Sequence, residues 1–432
     1  MHQPSRSLTS TRNRRLLLFG FLYFVQGAML AYVLVFNNLY LRHFGASAGQ
    51  LSLLNGMLAV PFILKIGIGL FSDKVRVPHF RPFPLLGGGH RVPYMTMGLL
   101  FIAAGSVVAV FIHPVEQYPI FLIVALFIAF GLALYDTVTD GLAIDVTPKE
   151  QHKSVQGSMV IGRALGLVLL AAAYGRIINS FDWSIIFWAI GAFALAPLPL
   201  LRHVHEPETR PPSQTFQWSA LARLWRPEIG RFALYAVFYS VPLYGANAII
   251  TLFADEGLGG TLVNVGDVAA VAGLGMLVGG IVAVAASRTV SIWRQGSWTA
   301  AAVSATLVLI SIGASLENFI FYSFLWGVCL SAADYVYVTI SMDKSDTRIG
   351  AGYFAIFMAI SNVGTGVGQA VSTGLIDTVD FHWIFLGMGI INLMVIPMLR
   401  SMRADEKISP VPPSPPTVWA TEDAAQPAIT EG

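Results

Sequence analysis

The sequence has few charged residues and a single cysteine, and both shortages restrict what the chain can be. Lysine, arginine, aspartate and glutamate make up 12% of the 432 residues, whereas soluble domains carry roughly a quarter. Hydrophobic residues make up 55%. The one cysteine, Cys329, lies within an apolar run and excludes a framework of disulfides. This composition indicates a protein that lies in a membrane for most of its length.

The usual signatures of catalysis are also missing from the sequence. All nine histidines fall in predicted tails, loops or span ends, so no imidazole is expected inside the membrane as a base or metal ligand. There is no phosphate-binding Walker loop, no cysteine pair and no haem motif. We therefore expect no enzyme activity and no cofactor. Anionic lipid explains the basic tails better than nucleic acid does.

Twelve apolar segments are long enough to cross roughly 30 Å of hydrocarbon. They predict an all-α membrane protein with twelve transmembrane helices in two six-helix pseudo-repeats. The predicted spans are 16–39, 51–71, 92–112, 120–144, 155–178, 183–201, 232–253, 268–286, 298–314, 319–340, 351–376 and 383–399. The predicted regions are a basic cytoplasmic tail (1–15), an N-terminal bundle (16–201), a cytoplasmic linker (202–230), a C-terminal bundle (231–400) and a disordered cytoplasmic tail (401–432).

Lysine and arginine are distributed unevenly between the two sets of loops. If the N-terminus is inside, the tails and inner loops hold 22 of the 26 basic residues. The outer loops hold only Arg42 and carry acidic residues such as Glu256 and Asp377 instead. Because basic residues concentrate on the cytoplasmic side of membrane proteins, both termini are predicted to be cytoplasmic, in a bacterial inner membrane.

The stretch 131–166 carries ionisable residues at depths where a bilayer permits few. Asp136 and Asp140 are four residues apart and therefore share one face of a helix. Asp136 and Arg163 each lie about 13 Å in from the polar ends of their spans, and Lys65 of the second span lies about 12 Å in. An acid and a base at one depth predict a pair between Asp136 and Arg163, within a buried cluster that also includes Asp140 and Lys65. The alternative is a structural ion network that only fixes helix packing. We favour function, because charges inside a membrane usually face a cavity.

The two halves show signs of an internal repeat. At an offset of 198, Asp136 aligns with Asp334 and Gly166 aligns with Gly364. A second match, at an offset of 212, relates tyrosines of the first and seventh spans. Asp334 is thus the expected C-terminal counterpart of Asp136, without an obvious basic partner. Two parallel repeats with a site at their interface are typical of alternating-access transporters.

Polar residues on the first and seventh spans are candidates to line a path between the halves. We select Gln26, Tyr239 and Asn247 for this role. For any one of them, a satisfied hydrogen bond between helices is the simpler interpretation. On the eighth span, Gly275 and Gly279 form a small-xxx-small face, which we interpret as a close helix contact and not as a phosphate loop.

The second span ends in a recognisable motif. Gly69, Asp73 and Lys74 have the spacing Gly, three residues, Asp, then Lys, which resembles the signature of the major facilitator superfamily. In that family the motif joins the second and third spans and clamps the closed cytoplasmic gate. Here a longer loop, VRVPHFRPFPLLGGGHRVPY, follows, although Gly89 and Arg91 are similar to the motif's basic end. The resemblance implies the fold of all twelve spans.

Two further resemblances concern branches of that family. ALYDTVTDGLAIDVTP is similar to the fourth-span region of the muropeptide permeases, acetyl-CoA transporters and folate–biopterin transporters. GHRVPY, before the third span, is similar to a branch that assembles light-harvesting complexes or delivers bacteriochlorophyll. These two resemblances imply different functions, one in transport and one in assembly.

The sequence therefore supports two hypotheses of function. The first is a monomeric permease that moves a small organic solute by proton-coupled symport. An anionic solute is one form of this hypothesis. Protonation of Asp136 or Asp334 would free Lys65 or Arg163 to bind a carboxylate or phosphate. The second is a membrane assembly or pigment-delivery factor of the same fold that moves no solute. Paired charges in the membrane favour the first.

Overall fold

In a computed structural model of the protein, the described residues are 8–77, 85, 89–206, 227–344 and 350–408, except for a few side chains, Asp73 among them. Long helices account for most of this part of the chain. They are α1 (Arg12–Ala31, continued by Tyr32–Phe36 and Asn37–His43), α2 (Ala48–Ile63 and Lys65–Lys74), α3 (Val92–Val110), α4 (Tyr118–Val146), α5 (His152–Ser180), α6 (Ser184–Leu195 and Leu198–Leu201), α7 (Pro227–Leu252, continued by Phe253–Gly257), α8 (Leu262–Ala286), α9 (Ile292–Gly313), α10 (Phe319–Lys344), α11 (Gly350–Leu375) and α12 (Phe381–Leu393 and Val395–Ile408).

Eleven of these helices are long and apolar enough to cross a membrane. That count covers only the described residues; α11 is 26 residues long and also carries polar residues such as Asn362 and Gln369. Several helices extend beyond the predicted spans, since α1 begins at Arg12, α7 begins at Pro227 and α12 ends at Ile408. Parts of both predicted tails and of the predicted linker are therefore helical. Residues 207–226 and 409–432 of those regions lie outside the described residues.

Glycines bring α1 and α5 into direct backbone contact. A Cβ atom added to Gly166 would lie 2.1 Å from the Phe24 carbonyl oxygen, and one added to Gly27 would lie 2.1 Å from the Arg163 carbonyl oxygen. Such contacts are the means by which membrane helices associate closely. They fix Arg163 at the surface of α5 that faces α1.

The contact between α7 and α11 repeats the same arrangement in the C-terminal half. A Cβ atom added to Gly364 would lie 2.9 Å from the Ser240 Cβ atom and 3.0 Å from the Val237 carbonyl oxygen. Gly364 matches Gly166 in the sequence repeat, and Ser240 matches Ala28, which Gly166 also contacts. The repeat seen in the sequence thus corresponds to equivalent helix pairs.

Replacing Gly166 by alanine is expected to reduce the yield and melting temperature of the protein, because a Cβ atom has no space against the Phe24 carbonyl. Gly157, on the same helix, is the matched control, since nothing lies within 4 Å of an added Cβ atom there. Gly157→Ala is expected to raise stability by about 0.5–1 kcal/mol, as glycine is unfavourable within a helix. Thermal unfolding in detergent checks both variants. Equal melting temperatures would contradict the packing argument.

The most extensive contacts between the two halves are those of α2 with α11 and of α5 with α8, and α1 also contacts α7. We call the end where α1 begins the terminal end, and the opposite end the far end. In α11, a Cβ atom on Gly366 would lie 2.6 Å from the Ala59 Cβ atom, and the Asn362 amide donates to the Phe62 carbonyl at 3.1 Å. These contacts lie between the far end and the middle of the bundle.

Charged residues add a latch between the halves at the far end. The Arg42 guanidinium, at the end of α1, donates to both carboxylate oxygens of Glu256, at 2.6 and 2.9 Å. It also donates to Asp377, after α11, at 2.9 Å. The other oxygen of Asp377 accepts from the Ala48 N–H at 2.7 Å. We call Arg42, Glu256 and Asp377 the far-end latch.

Candidate functional site

The site begins with the face of α4 that carries Asp136 and Asp140. Both carboxylates lie against α1, as their four-residue spacing requires. The Gln26 amide donates to Asp136 Oδ1, and the Tyr23 hydroxyl donates to Asp140 Oδ1. Asp136 is buried, whereas Asp140 is exposed although it lies within a span. One carboxylate is therefore enclosed and the other is open to solvent.

Lys65 of α2 provides the second partner of Asp136. Its Nζ atom forms a salt bridge with Asp136 Oδ2, and the Lys65 side chain is 29% exposed while that of Asp136 is 8% exposed. Lys65 begins the second segment of α2, directly after an interruption at Leu64 and close to Pro61. A proline inside a helix removes a hydrogen bond and commonly interrupts it. Each oxygen of Asp136 thus has a partner, one a cation and one an amide.

The predicted pair between Asp136 and Arg163 does not form in this structure. Within the described residues, Arg163 makes no hydrogen bond or salt bridge, and its guanidinium carbon lies 5.6 Å from the centre of the Tyr23 ring. Such a contact is a cation–π interaction. Depth along a helix predicts the level of a side chain but not its direction, so the sequence could not choose between Lys65 and Arg163.

Arg163 nevertheless lies beside the cluster. It is exposed in the middle of α5, against Tyr23, whose hydroxyl donates to Asp140. An exposed cation without an anionic partner can bind an anionic ligand at low cost, because no existing ion pair must first break.

Asp334 of α10 occupies the corresponding place in the C-terminal half. The hydroxyls of Tyr239 and Tyr244 on α7 both donate to its Oδ1 atom, the latter at 2.9 Å. The Tyr239 ring stacks on Tyr337, with ring centres 4.8 Å apart and planes 13° apart. No lysine or arginine in the described part of the chain forms a salt bridge with Asp334.

The repeat explains why the two halves differ in charge. The offset of 198 that relates Asp136 to Asp334 carries Arg163 to Ser361. The Ser361 hydroxyl lies 2.7 Å from the Ser240 hydroxyl and is buried. The C-terminal half therefore has a neutral pair of hydroxyls where the N-terminal half has a guanidinium.

The other predicted lining residues already have partners. Gln26 and Tyr239 bind the two aspartates, and Asn247 accepts a hydrogen bond from the Trp326 indole N–H at 3.1 Å. For Asn247 this is the contact between helices that was the simpler interpretation. Gly275 and Gly279 also make close helix contacts, since added Cβ atoms would lie 2.2 and 2.3 Å from carbonyl oxygens of α10.

The gate motif lies at the terminal end of α2. A Cβ atom on Gly69 would lie 3.7 Å from Thr137 of α4, which is ordinary van der Waals distance, and Lys74 is exposed. The side chain of Asp73 lies outside the described residues. Nearby, the Arg91 guanidinium donates to Asp145 at 2.9 Å and to Ser72 at 3.1 Å.

Sequence reasoning missed several charged contacts between the two halves. The far-end latch could have been suspected because Arg42 is the single basic residue of the outer loops. Arg176, which donates to Asp267 of α8 at 2.8 and 3.1 Å, joins α5 to the other half. No sequence pattern connects these partners, which lie far apart along the chain.

Comparison with known families identifies the chain. The family model of the Major Facilitator Superfamily matches residues 16–348. The chain belongs to the major facilitator superfamily. The fold class predicted from the sequence is confirmed, although the twelfth span stays a prediction. Membership of the superfamily makes the protein a multi-pass membrane transporter and not an enzyme.

The chain is similar to individual transporters, to one in sequence and to others in fold. A folate-biopterin transporter of Synechocystis sp. is 28% identical over 177 residues, which cover 40% of this chain and 34% of that relative. The matched stretch is thus about a third of the relative's length. The crystal structure of the nucleoside transporter NupG has a TM-score of 0.70 at 11% identity, covering 90% of this chain and 99% of that chain.

A second solved structure shares the fold. The bacterial homolog of the human lysosomal transporter Spinster, crystallised in an inward-facing and unoccupied conformation, has a TM-score of 0.64 at 16% identity. The match covers 91% of this chain and 95% of that chain. At these identities the likeness is one of fold.

Proposed function

We propose that this superfamily member is a secondary active transporter that moves a small organic anion by proton-coupled alternating access. The observation that carries the proposal is the Lys65–Asp136 salt bridge beside an exposed Arg163 without an anionic partner. Charged groups in the middle of a membrane protein are costly and usually belong to a substrate or ion pathway. The protein acts as a monomer in this proposal.

Coupling follows from competition for the charges of this cluster. A proton on Asp136 removes the negative charge that holds Lys65. Lys65 and Arg163 are then both available to a carboxylate or phosphate of the solute. A solute and a proton that bind one state of the bundle better than the other shift the balance between the states, which is the requirement for alternating access.

The arrangement of the halves supports a state that is open at the terminal end. The far-end latch and the contacts of Gly366 join the halves at the far end and the middle. Arg163 is exposed in the middle of its span, and Asp140 is exposed one helical turn nearer the terminal end than Asp136. With both termini in the cytoplasm of a bacterium, as the basic loops favour, this state faces inward and releases or accepts solute on the cytoplasmic side.

The first solutes to examine come from the relative's name. Folate carries carboxylates that could bind Lys65 and Arg163, whereas biopterin has none. Comparing the binding of the two compounds therefore tests whether the site requires an anion. Thermal shift of the detergent-solubilised protein ranks these and other organic acids. Uptake of the ranked solutes into proteoliposomes is then measured with and without an inward pH gradient.

The expected result is accumulation of an organic anion that depends on the pH gradient and is lost in Arg163→Gln. Accumulation that is unchanged when the gradient is removed would refute proton coupling. Copurified pigment or a stoichiometric protein partner, together with no flux of any solute, would favour the assembly factor instead.

A further inference from the structure

Glu206, at the start of the connection between the halves, is fixed to the N-terminal half. Its carboxylate accepts hydrogen bonds from the backbone N–H groups of His90, Arg91 and Val92, at 2.6–3.1 Å. These N–H groups precede and begin α3, where a helix has no internal acceptors for them. A carboxylate there is favoured both by charge-assisted hydrogen bonds and by the helix dipole.

Arg91, whose backbone N–H binds Glu206, also makes side-chain contacts with two helices at the terminal end. The Arg91 side chain is 7% exposed and joins Ser72 of α2 to Asp145 of α4. It fits tightly, since a Cβ atom on Gly141 would lie 2.4 Å from its guanidinium carbon. The guanidinium has little room beside Gly141, so its two hydrogen bonds depend on where the Arg91 backbone is held.

Space for the Glu206 carboxylate is equally limited. A Cβ atom on Gly89 would lie 2.6 Å from Glu206 Oε1. The Gly89 carbonyl also accepts from the Val77 N–H at 3.1 Å, which ties the described ends of the α2–α3 loop to each other. Glu206 thus joins the end of α6 to α2, α3 and α4 through one short set of contacts.

We propose that Glu206 is a positioning residue for closure of the terminal end, acting through the backbone of Arg91. The proposal assumes the two-state movement of the proposed function but not its solute or its proton. The contacts lie within the N-terminal half, so a rigid movement of the halves keeps them. The contacts of Glu206 fix the positions of the residues at the terminal end of the N-terminal half. This surface must meet the C-terminal half when the terminal end closes. Loss of Glu206 therefore disfavours the state that is closed at the terminal end and open at the far end.

A cysteine at Ser52 reports how often the far end opens. Ser52 lies on α2 against α11, where a Cβ atom on Gly374 would lie 3.1 Å from its hydroxyl oxygen. The native Cys329 is buried and is replaced by serine in the reporter background. The rate of labelling of Ser52→Cys by a membrane-impermeant maleimide, in membranes of the full chain, then measures opening of the far end.

Glu206→Ala is expected to lower this labelling rate about five-fold, the effect of about 1 kcal/mol on a two-state equilibrium. Gly89→Ala, which displaces the carboxylate without removing it, is expected to lower the rate similarly. The double variant is expected to match Glu206→Ala, because the clash disappears with the carboxylate. The control is Glu228→Ala, an exposed glutamate at the start of α7, which is expected to leave the rate unchanged.

An unchanged labelling rate in folded Glu206→Ala would overturn the proposal, as would additive effects in the double variant. Melting temperatures measured on the same samples separate the two readouts, since a purely structural role predicts a lower melting temperature with the labelling rate retained. The assay needs no solute and no pH gradient. A failure of the proposed transport function is therefore distinguishable from a failure of this inference.

Discussion

Asp136→Asn is expected to abolish gradient-driven accumulation of solute while permitting exchange of solute across the membrane. The variant keeps the hydrogen bond from Gln26 but removes the charge that holds Lys65. Without a proton to bind and release at this position, solute movement is no longer linked to the pH gradient. Parallel uptake and counterflow experiments in proteoliposomes measure the two activities on one preparation.

A double variant separates coupling from stability. Asp136→Asn alone leaves Lys65, which is partly buried, without its charged partner, and this is expected to lower the melting temperature. Adding Lys65→Met removes the unpaired charge, so the melting temperature is expected to recover while accumulation stays absent. Full gradient-driven uptake in Asp136→Asn would show that this carboxylate plays no part in coupling, and the pair would then be a structural link.

Much of the fold follows from the sequence because the bilayer leaves few options. Every span must be an apolar helix, and the uneven distribution of lysine and arginine orders the loops. The helix ends were less predictable. Thr11 caps a helix that begins at Arg12, and α7 begins at Pro227, within a stretch interpreted as linker. These helix ends are polar because they extend beyond the hydrocarbon layer of the membrane. Hydropathy detects only the apolar part of a helix, so it misses them.

The sequence predicted the depth at which the charged residues of the candidate site lie, but not which of them form pairs. The four-residue spacing of Asp136 and Asp140 sets their common face, and rise per residue brought Lys65 and Arg163 to the same depth. Which cation meets the carboxylate depends on how α2 and α5 are rotated. The glycine contacts of α1 with α5 and the interruption of α2 at Leu64 decide this, and both are properties of packing.

Arg42→Gln is expected to open the far end, which we measure as about a ten-fold or greater rise in maleimide labelling of the Ser52→Cys reporter. A hydrogen bond to a charged group contributes about 1.5–3 kcal/mol, and ten-fold corresponds to about 1.4 kcal/mol. Arg42 binds both Glu256 and Asp377, so its loss removes at once the ion pairs that α1 makes with the end of α7 and with the residue after α11. Glu256→Gln and Asp377→Asn are each expected to give part of the effect.

Arg176→Gln is the matched control, because Arg176 also joins the halves near the far end through a two-pronged contact with Asp267. Its side chain is 53% exposed and that of Arg42 is 23% exposed. Solvent screens exposed ion pairs and they contribute little, so a much smaller rise in labelling is expected. Equal rises in the two variants would contradict a special role for the latch.

The latch is also expected to be insensitive to pH in the neutral range, which separates it from the coupling cluster. The Ala48 N–H, and then the Arg42 guanidinium, hold the pKa of Asp377 below its ordinary value, outweighing the opposing effect of burial. A depressed pKa means that the stabilisation is present above the ordinary carboxyl pKa of about 3.9 and is lost only as pH falls through the lower, folded-state value. Maleimide reacts with the thiolate, so labelling of the reporter is divided at each pH by the labelling of an exposed reference cysteine. This ratio is expected to stay constant between about pH 5 and pH 8 in a background in which Asp136, Asp140 and Asp334 are all replaced by asparagine. A change in the ratio within that range would contradict a latch that does not titrate there.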